Sequence, residues 1–382
     1  MPQISQRAVQ MPASPIRKLV PLAEAAAARG TKIYHLNIGQ PDLPTPEVGL
    51  QALKHIDRKV LEYSPSDGYR SLREKLVSYY EQYQIKLTPD EIIVTAGGSE
   101  AVLFAFMTCL NPGDEIIIPT PAFLLYDSLV RLARGVPVPL DTTASNFQLD
   151  SRALAQAITP RTKAIVITSP NNPTGCVLDR GSMDAVAEAV RTRDLYVICD
   201  DVYGELCYEP GYRRFSALYP ELADRAIVAN SFSKPWAMTG WRLGWVGAGE
   251  KVAAAMAKVH QYAVSSVPAF MQHAAMEALA TSTAPMRASY QARRDFTVEA
   301  LDRMGLSVVT PQGAFYAFPS IEGLGLASEE FCERAIREAG VALVPGSCFG
   351  GEGHVRLSYA ADEKTLATGL ERLAGFVGAL RG

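Results

Sequence analysis

A lysine set among aromatic and apolar residues is chemically unusual, and this chain has one in the stretch S-F-S-K-P-W-A-M-T-G-W-R, residues 231–242. Lys234 follows an apolar run, residues 226–229, and is flanked by Phe232, Pro235 and Trp236. Such company desolvates an ammonium group and lowers its pKa, so that part of the amine is neutral and able to form a Schiff base with an aldehyde. Ser231 and Arg242 beside it carry the donors to hold a phosphate on the same ligand. The plain alternative is a lysine snorkelling from the end of a buried strand.

An aromatic aldehyde held there would need a carboxylate at its ring nitrogen, so that the ring stays protonated and can draw off negative charge. Asp200 sits at a predicted strand end and fits that task; its neighbour Asp201 could simply cap the following turn. Tyr203 and Asn172, also at strand ends, could donate to a ring hydroxyl. Phe123 could stack on the ring, or be an ordinary core aromatic. Gly97-Gly98-Ser99 precedes a helical segment, where backbone N–H groups and the helix dipole favour an anion. With Ser231 and Arg242 it would complete a phosphate cup. Arg356 lies in the alternating run V-R-L-S-Y, residues 355–359, where period two turns it inward with Ser358. A buried arginine calls for an anion, either an incoming carboxylate or a fixed internal ion pair.

These residues need a scaffold that brings them together. From about residue 90 the pattern repeats as strand, loop, helix: apolar runs at 91–95, 115–118, 164–168, 195–199 and 226–229 each end in polar or glycine-rich loops, and 243–246 follows. Short continuous apolar strands alternating with helices predict a mainly parallel sheet covered on both faces, with ligands at the carboxyl ends of its strands. Helices are expected at 17–29, 47–57, 68–84, 250–263, 268–281 and 285–304, with a short strand within 32–38. After residue 304 the texture changes to antiparallel strands at 307–310, 314–318, 341–344 and 354–358, interleaved with helices near 328–339 and 362–379. Residues 1–16 read as an arm.

Composition narrows the function classes. A chain of 382 residues suggests two domains, and 48% apolar with 20% charged residues is ordinary for a globular protein. A net charge of −3 gives no support to a nucleic-acid or membrane partner. The first residues lack an apolar secretory core, and no run of eighteen apolar residues spans a membrane. The six scattered cysteines, without C-x-x-C pairs, suit reduced thiols in a cytoplasm, and the five solitary histidines make a metal site improbable.

The motifs N-N-P-T-G (171–175), D-D-V-Y (200–203), S-F-S-K (231–234), Trp241-Arg242 and V-R-L-S-Y together resemble the class I/II aminotransferases of pyridoxal-phosphate fold type I. The resemblance extends over nearly the whole chain, from N-I-G-Q-P-D (37–42) through Y-S-P-S-D-G-Y-R-S-L-R (63–73) and T-A-G-G-S-E-A (95–101) to the C-terminal region. It implies a large domain (47–283) built on a mainly parallel seven-stranded sheet, and a smaller α+β domain (17–46 and 284–382). It further implies pyridoxal 5′-phosphate as cofactor and Lys234 as the Schiff-base lysine that also shuttles a proton from the substrate's α-carbon. Asp200 would be the pyridinium partner, Tyr203 and Asn172 the contacts to the ring hydroxyl, and Phe123 the stacking ring. Gly98, Ser99, Ser231 and Arg242 would hold the phosphate; Gly39, Asn172 and Arg356 would hold the substrate α-carboxylate. Tyr63 would reach the phosphate of a neighbouring subunit, so a homodimer with shared sites is implied.

One departure bears on the substrate. Some bacterial aspartate aminotransferases of this group carry a lysine in the phosphate loop that helps bind a distal carboxylate, and this chain has Ser99 or Glu100 there. Arg17, at the start of the first helix, could compensate, with aspartate or glutamate as donor and 2-oxoglutarate as acceptor; or it is a solvated first-turn residue. Two other readings share the residues: a β-lyase on the same scaffold, and a non-catalytic ligand-sensing module, which would carry a DNA-binding domain ahead of this fold.

Overall fold

A computed structural model describes residues 2–11, 17–56 and 59–382; residues 1 and 12–16 of the expected arm lie outside the described residues. Its strands are β1 (Tyr34–His35), β2 (Ile92–Thr95), β3 (Glu115–Thr120), β4 (Val136–Asp141), β5 (Thr162–Thr168), β6 (Tyr196–Asp200), β7 (Ala226–Ser231), β8 (Gly244–Ala248), β9 (Tyr316–Ala317), β10 (Val341–Ala342), β11 (Val344–Pro345) and β12 (Val355–Ser358). Seven of them form one sheet in the order β2-β8-β7-β6-β5-β3-β4. All neighbours run parallel except β8, which is antiparallel to both β7 and β2.

Every residue of β2, β7 and β8 is buried. That is what an apolar run without alternation requires: helices on both faces. The sheet's two faces contribute to separate apolar clusters, one holding Ile165, Val197, Val228 and Trp245, the other Ile116, Val166, Ile198 and Ile227. Alternate residues of single strands thus feed opposite layers.

β4 escapes a sequence reading because Pro137 and Pro139 interrupt it. It lies at the sheet edge, bonded to β3 alone, and a proline is tolerated there because one side of the strand lacks a partner to miss its N–H. From β3 the chain steps outward to β4, then returns to the other side of β3 for β5, β6 and β7. The strand order therefore reverses between β3 and β5, and the carboxyl ends around that reversal open a crevice.

The remaining strands pair in smaller groups: β11-β12-β9 is antiparallel, whereas β10 runs parallel to β1. Three expectations need correction. Residues 307–310 form no strand; Ser307 accepts one bond from Ser320, and Pro311 removes the next donor. The expected strand within 32–38 keeps only Tyr34 and His35, and that over 341–344 splits into β10 and β11. The helix Val20–Ala28, β1, the helix Ala284–Arg303 and the C-terminal helix Glu363–Arg381 surround a third cluster containing Leu19, Leu36, Leu301, Phe331 and Leu373. No helix among the described residues is long and apolar enough to cross a membrane. All six cysteines are free thiols.

Candidate active site

Lys234 leaves the end of β7 and reaches into a cavity of about 440 Å³ between the sheet's carboxyl edge and the segment after β1. Its Nζ donates to the Gly39 carbonyl at 2.5 Å. Burial lowers its pKa to about 8, helped by the positive charges of Arg356 and Arg242 and opposed by Asp200. Its amine is thus bonded inside the cavity instead of being carried out to bulk solvent, as a snorkelling lysine would be.

Asp200 ends β6, in register with Thr168 of β5. Its side chain accepts from the Tyr126 hydroxyl at 2.7 Å and from the Val202 N–H at 3.2 Å. The Tyr126 hydroxyl also lies 2.7 Å from Thr168 Oγ1, so one phenol ties the two strand ends together. Burial raises the Asp200 pKa, while the Tyr126 hydrogen bond, the Val202 N–H and Lys234 oppose that rise.

The neighbouring Asp201 turns to the other side of the strand end, as successive residues must. There it meets no exposed turn but the buried guanidinium of Arg214, 3.7 Å away, which also pairs with Glu205 at 2.7 Å. Burial lifts its pKa to about 7 despite Arg214. The expected turn cap is a member of an internal ion cluster instead.

Gly97, Gly98 and Ser99 form the entry to the helix Gly98–Cys109, which starts directly behind β2. Gly97 has φ +89°, and a Cβ on it would fall 2.6 Å from Arg242 Nη2. Only glycine satisfies both the left-handed backbone and that approach. Gly98, Ser99, Ser231 and Arg242 all line the cavity. Arg242 is held by the carbonyls of Thr239 and Ala96. Glu100 turns away: its carboxylate accepts from the Ala96 N–H at 2.6 Å and faces His260 at 3.6 Å.

On the cavity's other flank, Arg356 of β12 is 2% exposed. It donates to Asn172 Oδ1 at 2.9 Å and to the Asn37 carbonyl at 3.0 Å, and its guanidinium lies 4.5 Å from the centre of the Tyr316 ring. Its Nε is buried without a partner, and no carboxylate among the described residues pairs with it. The internal ion pair weighed against an incoming carboxylate is thus not found. The whole of β12 is buried, so Arg356 and Ser358 are not singled out by alternation as expected.

Phe123 and Tyr203 line the same cavity; Tyr203 is buried, with its hydroxyl 3.0 Å from that of Tyr316. Arg17 also lines it, from the turn preceding the helix Val20–Ala28, and is exposed. Tyr63 is not brought to this cavity: it is 86% exposed on the chain's surface. Tyr126 and Tyr316 were not among the residues expected here. Tyr126 was accessible through its spacing, three residues beyond Phe123 at a helix start; Tyr316 sits in G-A-F-Y, which carries no charge to draw notice.

The sequence pattern of the family described as aminotransferase class I and II matches residues 31–373. Among curated relatives, a putative aminotransferase, YugH, of Bacillus subtilis (strain 168) is 40% identical over 98% of both chains. A probable N-acetyl-LL-diaminopimelate aminotransferase of the same organism is 40% identical over 98% of this chain and 95% of its own. Among solved structures, a double mutant of Thermus thermophilus aspartate aminotransferase superposes with a TM-score of 0.94 at 35% identity, covering 98% of this chain and all of that one.

Proposed function

Since the chain belongs to the class I and II aminotransferases, and is thereby a fold type I enzyme that uses pyridoxal phosphate, we propose that the cavity around Lys234 is its active site. The observation that carries this reading is the juxtaposition of a desolvated amine, a buried carboxylate to which no cationic side chain among the described residues is bonded, and a buried arginine whose Nε lacks a partner there. Those three groups fit the cofactor and its substrate: an amine for the aldehyde, an acid for the ring nitrogen, a guanidinium for a carboxylate. Bound there, pyridoxal phosphate supplies a carbonyl carbon that takes up the amino group and a ring that withdraws electrons from the α-carbon.

Each side chain then has a task. Lys234 holds the cofactor and, with a pKa near 8, releases and takes back a proton at Nζ close to neutral pH. Asp200 would hold the ring nitrogen, Tyr203 and Asn172 the ring hydroxyl, and Phe123 would stack on the ring. Gly98, Ser99, Ser231 and Arg242 take the phosphate. Arg356, oriented by Asn172 and the Asn37 carbonyl, takes the substrate's α-carboxylate with Gly39. Residues 47–283 serve as the large domain, and 17–46 with 284–382 as the small one. Tyr63, exposed on the surface, completes the site of a second copy, so the working form is a homodimer. We place it in the cytoplasm, where its free thiols stay reduced.

The amino and oxo acids it exchanges are proposed to be acidic. Arg17 and Arg356 line one cavity, and neither is paired with a carboxylate among the described residues. Two guanidiniums without a carboxylate partner suit a dicarboxylate, with aspartate as donor and 2-oxoglutarate as acceptor. The test is a single half-reaction: aspartate without acceptor should convert the bound cofactor stoichiometrically to pyridoxamine phosphate. The Lys234→Ala variant should stay folded, hold the cofactor noncovalently and give none. Turnover by that variant would refute the reading.

A further inference from the structure

The least explained group in the cavity is Tyr316. It is 1% exposed and bears no charge, yet it touches both halves of the site. Its hydroxyl lies 3.0 Å from that of Tyr203, and its ring carries the guanidinium of Arg356 at 4.5 Å. A Cβ on Gly39 would fall 2.5 Å from the same hydroxyl, so residue 39 must lack a side chain for Tyr316 to stand where it does. β9 and β12 pair with Ser358 opposite Tyr316, which fixes its place beside Arg356.

We infer that Tyr316 is a positioning residue with two separable effects: its hydroxyl donates to Tyr203, and its ring holds the Arg356 guanidinium in plane for a carboxylate. This rests on the assignment of the cofactor to the Lys234 cavity. Tyr203 has one proton. If that proton is given to the cofactor's ring hydroxyl oxygen, the Tyr203 oxygen must accept from elsewhere, and Tyr316 is the hydroxyl in reach. A hydroxyl that accepts a hydrogen bond is itself a stronger donor. The ring's effect is distinct. Arg356 is fixed along its edges by Asn172 and the Asn37 carbonyl, both neutral, and no carboxylate among the described residues compensates it. An aromatic face supplies attraction without occupying the N–H groups a substrate needs. Phe349, 4.9 Å from the guanidinium, adds a second ring.

The two effects come apart in two variants of the cofactor-loaded protein. Tyr316→Phe keeps the ring and removes the hydroxyl; Tyr316→Met keeps similar bulk and removes both. The first readout is the pH midpoint of the bound cofactor's visible absorbance. Weaker donation from Tyr203 disfavours the anionic ring oxygen, so the midpoint should rise by about half a unit to one unit in both variants. The second is the dissociation constant of succinate, an inert carboxylate. It should stay within about twofold in Tyr316→Phe and weaken about three- to tenfold in Tyr316→Met. A merely structural tyrosine would lower thermal stability and move neither readout selectively. An unmoved midpoint in Tyr316→Phe overturns the hydroxyl's role. Unchanged succinate affinity in Tyr316→Met overturns the ring's; if that variant does not fold, Tyr316→Leu asks the same question. Wild-type protein whose absorbance never depends on Lys234 would instead sink the underlying assignment.

Discussion

Replacing Tyr126 by phenylalanine tests how Asp200 is kept ionised. The phenol donates at 2.7 Å to a carboxylate that burial already pushes toward its neutral form. A hydrogen bond to a charged, buried acceptor is worth roughly 1.5–3 kcal/mol, and each pKa unit corresponds to about 1.4 kcal/mol. Removing the donor destabilises only the charged form, so the Asp200 pKa should climb by a further one to two units or so. The sign is that of an acid losing support: protonation, and with it the loss of a partner for the cofactor's ring nitrogen, sets in at higher pH. Affinity for pyridoxal phosphate, followed by quenching of protein fluorescence between about pH 4.5 and 8, should therefore fall on an acid limb displaced upward by about that amount. An Asp200→Asn control should bind weakly and lack the limb. If Tyr126→Phe binds with an unmoved limb and affinity within about twofold of wild type, Tyr126 does not hold Asp200 and some other group keeps it charged.

The lowered pKa of Lys234 predicts that its modification by an amine reagent in cofactor-free protein rises through about pH 8, below the range near 10.4 where ordinary lysines respond; peptide mapping across pH would show it. Arg17→Ala should cut kcat/KM for aspartate about ten- to a hundredfold, the loss of one charge-assisted contact, and leave alanine nearly unchanged. Equal losses for both donors would make Arg17 structural. Mixing inactive Lys234→Ala with Tyr63→Phe and allowing subunit exchange should give one hybrid site with both residues intact, and activity above that of the Tyr63→Phe parent. No gain despite proven exchange would assign Tyr63 to its own chain.

Asp200 and Ser231 were readable because they sit where a buried strand ends, and apolar runs mark such ends. Asp200, Ser231 and the segment to Lys234 follow β6 and β7 as directly in space as in sequence. What stayed hidden depends on distance along the chain. Asp201 looked like a turn cap because nothing near it in sequence announces that Arg214 returns beneath the strand end. The hydroxyls of Tyr126 and Tyr316 meet the side chains of Asp200 and Tyr203, contacts that join residues far apart in sequence and that no motif announces. β4 was missed because its two prolines argue against a strand everywhere except at an edge, and edges are settled only when the sheet is assembled. Residues 307–310 differ in the opposite sense: Val308, Val309 and Thr310 favour a strand, yet Pro311 removes a donor and the bond from Ser320 to the Ser307 carbonyl builds no ladder.

The bonds that hold these groups join residues far apart in the chain. Lys234 and the Gly39 carbonyl are 195 residues apart, Arg356 and Asn172 184, and Arg356 and the Asn37 carbonyl 319. Closing such loops brings no reward until both ends have folded, so these contacts belong to the late, slow part of folding. A chain still lacking its last forty residues could complete the seven-stranded sheet, whose final strand ends at Ala248, and would possess no Arg356 at all. During synthesis the lysine would be set in its sheet while the arginine was still to be made. The side of the cavity that Arg356 forms is therefore the last part of it to be made, about a hundred residues after the strand that leads to Lys234.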